Sequence, residues 1–141
     1  MKKALATAVM IFLFAASAAV FGADVLTKKD LVKQCKESVK QLTVDQAKER
    51  FDQGWYYFID CRIDEEYRKG HIPGALHIAR GFLEFKIEDI VPERDAKIIL
   101  YCKSGERSCL GAQTLEHMGY SNAFSLDGGW KAWYSAGYPV E

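Results

Sequence analysis

The sequence predicts an α/β domain, with a mostly parallel central sheet and helices on both faces. Three observations predict it. Short apolar runs of strand length alternate with segments of helical period from Gln41 to Ala136. The run Lys97–Tyr101 is too apolar to face water on either side, as in a strand buried within a covered sheet. The chain has 141 residues, 49% of them hydrophobic, which suits one packed core rather than two.

Residues 1–22 stand apart from the domain. Met1-Lys2-Lys3 is basic, Ala4–Gly22 carries no charge, and Ala16-Ser17-Ala18 has the small-x-small form of a cleavage site, with Val20-Phe21-Gly22 as a second option. This reads as a secretory signal peptide, against the competing reading of an uncleaved anchor. No Cys follows either cut, so no lipid anchor is expected. The mature protein is expected to be exported, periplasmic and without stable membrane association. Residues 23–40 form an N-terminal helical extension, where charges alternate with Leu31, Val32, Cys35 and Val39. That pattern leaves Cys35 exposed, on a helix that packs on the domain or stays partly mobile.

Residues 41–141 hold the domain. Gln41-Leu42 is a short strand. Thr43 has the position of an N-cap, with Gln46 three residues on, for a helix reaching about Asp52 and stopped by Gly54. Trp55–Cys61 is a strand with Cys61 in the core, and Asp64–Tyr67 is one helical turn. Gly70-His71-Ile72-Pro73-Gly74 is loop chemistry, followed by a strand over Ala75–Ala79. Phe82–Ile90 is a helix with Phe82, Phe85 and Ile90 on its core side, ended by Pro92. After the central strand Lys97–Tyr101, a helix over Ser108–Met118 turns Leu110, Ala112, Leu115 and Met118 inward and ends at Gly119. Ala123–Leu126 is the last strand. Gly128-Gly129 opens the last helix, through Trp130 and Trp133 to about Ala136.

Basic and acidic residues number 19 each, so no overall field favours nucleic acid or acidic membranes. His71, His77 and His117 are scattered and no Cys-x-x-Cys occurs, so no zinc site is expected.

The chemistry concentrates at Cys102. It ends the run Ile98–Tyr101 and opens the loop Cys102-Lys103-Ser104-Gly105-Glu106-Arg107-Ser108. In a parallel sheet, ligands bind outside such C-terminal strand ends. Backbone N–H groups of a short Gly-containing loop converge on one point, and the following helix adds positive charge at its N-terminus. Lys103 and Arg107 add formal charge. Together these favour an accessible thiolate and an oxyanion beside it. The bland alternative is a small buried hydrophobe at a strand end.

Three motifs carry a family resemblance. Ile59-Asp60-Cys61-Arg62, with Glu66-Tyr67 and Gly70–Ala75, resembles the N-terminal signature of rhodanese domains. The Cys102–Ser108 loop resembles their active loop, and Leu126-Asp127-Gly128-Gly129-Trp130 with Trp133 their C-terminal signature. The likeness runs from about Leu42 to Val140 and implies a three-layer sandwich. It also implies a thiosulfate sulfurtransferase-like enzyme. Cys102 would take the outer sulfur of a small anionic donor as a persulfide and pass it to a thiol or cyanide, without an external cofactor. The N–H groups of residues 103–107 (Lys103, Ser104, Gly105, Glu106, Arg107) would cradle the persulfide.

Around that centre, Lys103 is either a substrate contact or a solvated charge, and Arg107 shapes the loop or attracts the anion. Gly105 is conformational. Asp60 and Arg62 read as a structural pair, with Glu66 as a partner for Arg62. His71 reads as a hydrogen-bonding brace and Trp130 as a core aromatic under the loop. Arg80 borders the pocket, where it adds positive charge for the donor or caps a loop. Cys109 is a resolving thiol or a packing residue. The rival functions are a thiol redox protein cycling Cys102 and Cys109, a phosphatase or arsenate reductase, and a non-catalytic binding module. Related phosphatases place five residues between Cys and Arg, and here four separate Cys102 from Arg107.

Overall fold

A sheet of five strands, all parallel, organises the described residues, in the order β1-β5-β4-β2-β3. The strands are β1 (Gln41–Leu42), β2 (Tyr57–Asp60), β3 (Leu76–His77), β4 (Ile98–Tyr101) and β5 (Ala123–Leu126). The structure is a computed structural model describing residues 25–141, so the signal peptide expected at 1–22 lies outside the described residues. The helices are α1 (Lys28–Ser38), α2 (Val44–Gln53), α3 (Asp64–Arg68), α4 (Leu83–Ile90), α5 (Glu106–His117) and α6 (Gly129–Ser135).

Side chains alternate across a strand, and the two cores follow that alternation. On one face Ile59, Ile98, Leu100 and Ala123 pack with Cys35 of α1, Leu83 and Ile87 of α4, and Ala112 and Leu115 of α5. On the other, Phe58, Ile99, Tyr101 and Leu126 pack with Ala47 of α2 and Trp133 of α6. All four β4 residues are buried, as the apolar run requires. The fold is the three-layer α/β sandwich expected, and its sheet is wholly rather than mostly parallel.

Local chemistry sets the helix ends. Thr43 and Gln46 form the expected capping box on α2, and Gly54 closes that helix in the left-handed region at φ 74°. A second capping box, Thr27 with Asp30, starts α1 at Lys28, inside the extension expected over residues 23–40.

Three expectations about packing are corrected. Phe82, Phe85 and Ile90 face solvent, at 57%, 80% and 39% exposure. A 3₁₀ turn over Arg80–Phe82 shifts the helical phase, and Leu83, Ile87 and Val91, four residues apart, form the buried stripe instead. Cys35 is buried, not exposed, because α1 lies against α5. Cys35 and Cys109 of α5 belong to the same buried core, and burial pushes the Cys35 thiol up to about 12. On α5, Leu110 and Met118 only border the core, while Ser108, Cys109, Gly111, Ala112 and Leu115 are buried. Gly111 permits this close approach, since a Cβ there would stand 3.0 Å from Leu100 Cδ2.

Candidate active site

The strands end together on one edge of the sheet, and the loops after β2, β4 and β5 meet there. Residues 102–105 leave β4 and turn directly into α5, which starts at Glu106. Gly105 caps α5 with φ 90°, a conformation other residues resist. Its N–H donates to Cys102 Sγ at 3.2 Å. The thiol therefore sits at the N-terminus of a 12-residue helix, where unpaired N–H groups and the helix dipole favour negative charge.

The turn after β5 forms the floor. Trp130 N–H donates to Cys102 O at 2.7 Å, and Lys131 N–H to Lys103 O at 3.1 Å. Gly129 fits because it lacks a side chain. A Cβ there would stand 2.3 Å from Cys102 O and 2.9 Å from Gly105 N. Gly129 also has φ 56°, so two independent constraints coincide. The sequence marks this glycine as a helix start and as part of the C-terminal signature, but not its close approach to the loop. Gly129→Ala is expected to displace the loop and lower Cys102-dependent turnover by roughly 100-fold, since a misplacement near 1 Å carries that cost. Steady-state kinetics beside a thermal melt will separate this from unfolding.

Cys102 is 1% exposed, whereas Lys103 and Ser104 are exposed. The expected accessible thiol thus lies just beneath its own loop, because Gly105 and the floor draw the sulfur inward. Lys103 is a solvated charge here. Glu106 pairs with Lys28 of α1 at 2.5 Å. Arg107 reaches Glu66 of α3 through both terminal nitrogens, at 3.2 Å each. This corrects the expected Glu66–Arg62 pair.

Arg62 is taken by Asp60 instead. Its Nε lies 3.0 Å from both Asp60 oxygens, its Nη2 2.6 Å from Oδ2, and Nη2 also donates to Gly70 O at 2.7 Å. Both side chains are buried, at 3% and 0% exposure. Burial by itself depresses the guanidinium; the Asp60 hydrogen bonds outweigh it and hold Arg62 above its ordinary value. The Arg62 guanidinium lies over the Trp130 ring at 4.5 Å. Trp130 is half-buried and packs against the core that contains the fully buried Trp133. The Asp60–Arg62 pair is therefore the structural support the sequence suggested, one step behind the loop.

Arg80 does not act as a free positive charge. It pairs with Glu84 at 2.8 Å and donates to Thr114 Oγ1 at 2.9 Å, bracing α4 against α5. Burial raises the Glu84 carboxyl, but the Arg80 hydrogen bond and charge leave it below its ordinary value. His71 is the expected brace. Nδ1 meets Tyr67 O at 3.0 Å, Nε2 lies 3.2 Å from Glu141, and the ring stacks on Tyr67 at 3.8 Å. Cys61 is a buried core residue, its thiol pushed up by burial and by neighbouring Cys102. Cys109 is fully buried and accepts from Gln41 Nε2 at 3.6 Å, which fits packing rather than service to Cys102. A buried Ser108–Ser125 hydroxyl pair at 3.0 Å, not anticipated from sequence, ties the start of α5 to β5.

Residues 43–136 match the family of rhodanese-like domains. Among solved structures, a Rhodopseudomonas palustris protein of unknown function, a possible tyrosine phosphatase, is 32% identical with a TM-score of 0.77, covering 84% of this chain and 97% of its own. A rhodanese-related protein from Thermoplasma volcanium is 28% identical, TM-score 0.65, covering 72% and 97%. A thiosulfate sulfurtransferase from Pseudomonas aeruginosa is 25% identical, TM-score 0.70, covering 79% of this chain and 21% of that one.

Proposed function

The chain belongs to the rhodanese-like domain family, and from that premise we propose that it is a sulfurtransferase working through a persulfide on Cys102. One observation carries the proposal. The Cys102 thiol ends β4, accepts the Gly105 N–H at 3.2 Å, and lies at the N-terminus of α5. Covalent sulfur chemistry needs a nucleophile held against donors for developing negative charge, and this loop supplies both.

With thiosulfate as donor, the Cys102 thiolate attacks the outer sulfur. The new S–S bond forms as the old one breaks, and sulfite leaves with the bonding pair. The terminal sulfur of the persulfide then carries the negative charge, facing the loop N–H groups. An incoming cyanide or thiolate takes that sulfur and returns the Cys102 thiolate. No step needs an external oxidant or reductant. Because Cys102 is 1% exposed, donor access requires the exposed Lys103–Ser104 rim above it to move. Arg107 is paired with Glu66 as Arg80 is with Glu84, but it belongs to the active loop itself and its guanidinium is partly exposed, so it both holds the loop and helps attract the sulfonate end. Arg107→Ala is expected to lower thiocyanate formation by roughly 10–100-fold, mainly through a higher KM for thiosulfate, as loss of a charged anion contact does.

A phosphatase is the second reading, favoured by the Rhodopseudomonas palustris relative. Four residues between Cys102 and Arg107 make a small cradle, suited to one sulfur atom rather than a phosphoryl group. Paired assays decide between them. The wild-type protein should form thiocyanate from thiosulfate and cyanide and leave p-nitrophenyl phosphate intact; the reverse pattern makes it a phosphatase.

In this proposal residues 1–22 direct export and are then removed, placing the enzyme in the periplasm. N-terminal sequencing of the mature protein from that compartment should start near residue 23; an N-terminus at Met1 defeats it.

A further inference from the structure

Three large apolar side chains lie in solvent on one side of the active loop. Ile63, Phe82 and Phe85 are 54%, 57% and 80% exposed. Strands β4, β2 and β3 are neighbours in that order and all parallel, so the segments leaving them emerge side by side on one edge of the sheet. Cys102 follows β4, Ile63 follows β2 and Phe82 follows β3. Hydrogen bonds hold these segments together. Arg80 N–H donates to Cys61 O at 3.1 Å, and Ile63 N–H donates at 3.3 Å to the Glu66 carboxylate that also takes Arg107. Phe85, three residues beyond Phe82, extends the patch along α4. The charge around it is uneven. Arg107 pairs with Glu66, Arg80 with Glu84, Lys28 with Glu106 and Lys36 with Asp127. Among the described residues, exposed Lys86 and Lys103 enter no ion pair. Lys86 Nζ lies 5.2 Å from the Phe82 ring centroid, so a free cation sits on the patch itself.

We infer that Ile63, Phe82 and Phe85, with Lys86, form the docking face for a protein sulfur acceptor whose cysteine lies in an apolar segment with acidic residues beside it. The inference rests on the persulfide reading of Cys102. Size decides against a small acceptor as the occupant. Neighbouring strands are about 5 Å apart, so the segment after β3 stands about 10 Å from the one that carries Cys102. A cyanide ion or small thiol at the sulfur does not span that distance, whereas a chain of several residues does. Exposed aromatics grouped beside a reactive centre are the anchors such a segment uses. The unpaired ammonium groups of Lys86 and Lys103 match its carboxylates and speed its encounter.

The acceptor thiol loses its proton to solvent, and its thiolate attacks the outer sulfur of the Cys102 persulfide. A new S–S bond forms on the acceptor as the bond to Cys102 breaks. Cys102 leaves as the thiolate with the bonding pair, and the acceptor carries the persulfide. One S–S bond is made and one is broken, so no oxidant or reductant enters.

Two synthetic peptides of equal length, each with one cysteine, test this. In one, Leu and Phe flank the cysteine and Glu lies beyond; in the other, Ser and Gly flank it and Lys lies beyond. With the persulfide formed on the full chain from thiosulfate, the acidic apolar peptide should gain one sulfur roughly 10-fold faster than the basic polar one. Phe82→Ser combined with Phe85→Ser should erase that difference, with thiocyanate formation from cyanide retained. Lys86→Glu should slow transfer to the acidic peptide alone. A second arm needs no sulfur. The acidic apolar peptide with serine for its cysteine, carrying a fluorescent label, should bind the wild-type chain roughly 10-fold tighter than the double phenylalanine variant. Equal transfer to both peptides, or binding that the double variant leaves unchanged, would overturn the inference. Self-association of the chain that the same two substitutions abolish would assign the face to a second copy and overturn it as well. A wild-type chain that forms no thiocyanate removes the persulfide reading instead, and the binding arm still scores the face.

Discussion

Cys102→Ala is expected to form no thiocyanate above the uncatalysed rate while keeping the wild-type fold. The substitution removes the atom that carries the sulfur between donor and acceptor, and no neighbour replaces it. Cys61, the nearby buried thiol, is held protonated by burial. Cys109 is fully buried and held by Gln41. The structural cost is small. Cys102 loses one sulfur and leaves the Gly105 N–H without its acceptor, together about 1–2 kcal/mol. Cys102→Ser separates chemistry from packing, because the hydroxyl accepts the same N–H yet is a far weaker nucleophile. Both variants should be inactive, and the serine form should melt close to wild type. Normal turnover by either, measured as thiocyanate released, removes Cys102 from the mechanism.

Asp60→Ala should be the most destabilising substitution near the site, at roughly 3–5 kcal/mol, because it leaves a buried guanidinium without its counter-charge. That is a large part of the stability of an ordinary domain. Arg62 is 3% exposed and makes three side-chain contacts with Asp60. Its remaining hydrogen bond, to Gly70 O at 2.7 Å, does not neutralise it. The damage should also reach the loop. Arg62 lies against Trp130, whose N–H holds Cys102 O at 2.7 Å. Urea unfolding checks the first effect, with a lower midpoint and unchanged slope expected. A loss below 1 kcal/mol would mean that water or a moved side chain replaces the carboxylate.

The sheet, its central strand and the position of the loop were legible because each rests on local chemistry. β4 is read from four consecutive apolar residues, the α2 cap from Thr43 and Gln46, and the loop from a cysteine beside a glycine. What was not legible depended on partners far along the chain. Arg107 and Arg62 lie near the same carboxylates, and nothing local says that Asp60 takes Arg62 and leaves Glu66 to Arg107. Arg80 carries a charge suited to an anion until Glu84, four residues on, and Thr114 of a distant helix claim it. Cys35 sits among charges, and only the docking of α1 on α5 buries it. The inward face of α4 was misread by one position because a 3₁₀ turn, which has a different period, precedes it. Gly129 was legible as a glycine in a turn, but its value lies in an approach to Cys102 O that no sequence window contains.

The central claim is that Cys102 carries transferable sulfur, and peptide mass spectrometry after brief treatment with thiosulfate tests it most directly. The peptide containing Cys102 should gain one sulfur atom and lose it on adding cyanide, with thiocyanate appearing in equal amount. An unchanged Cys102 peptide, or sulfur gained on the peptides of Cys35, Cys61 or Cys109 instead, would contradict it.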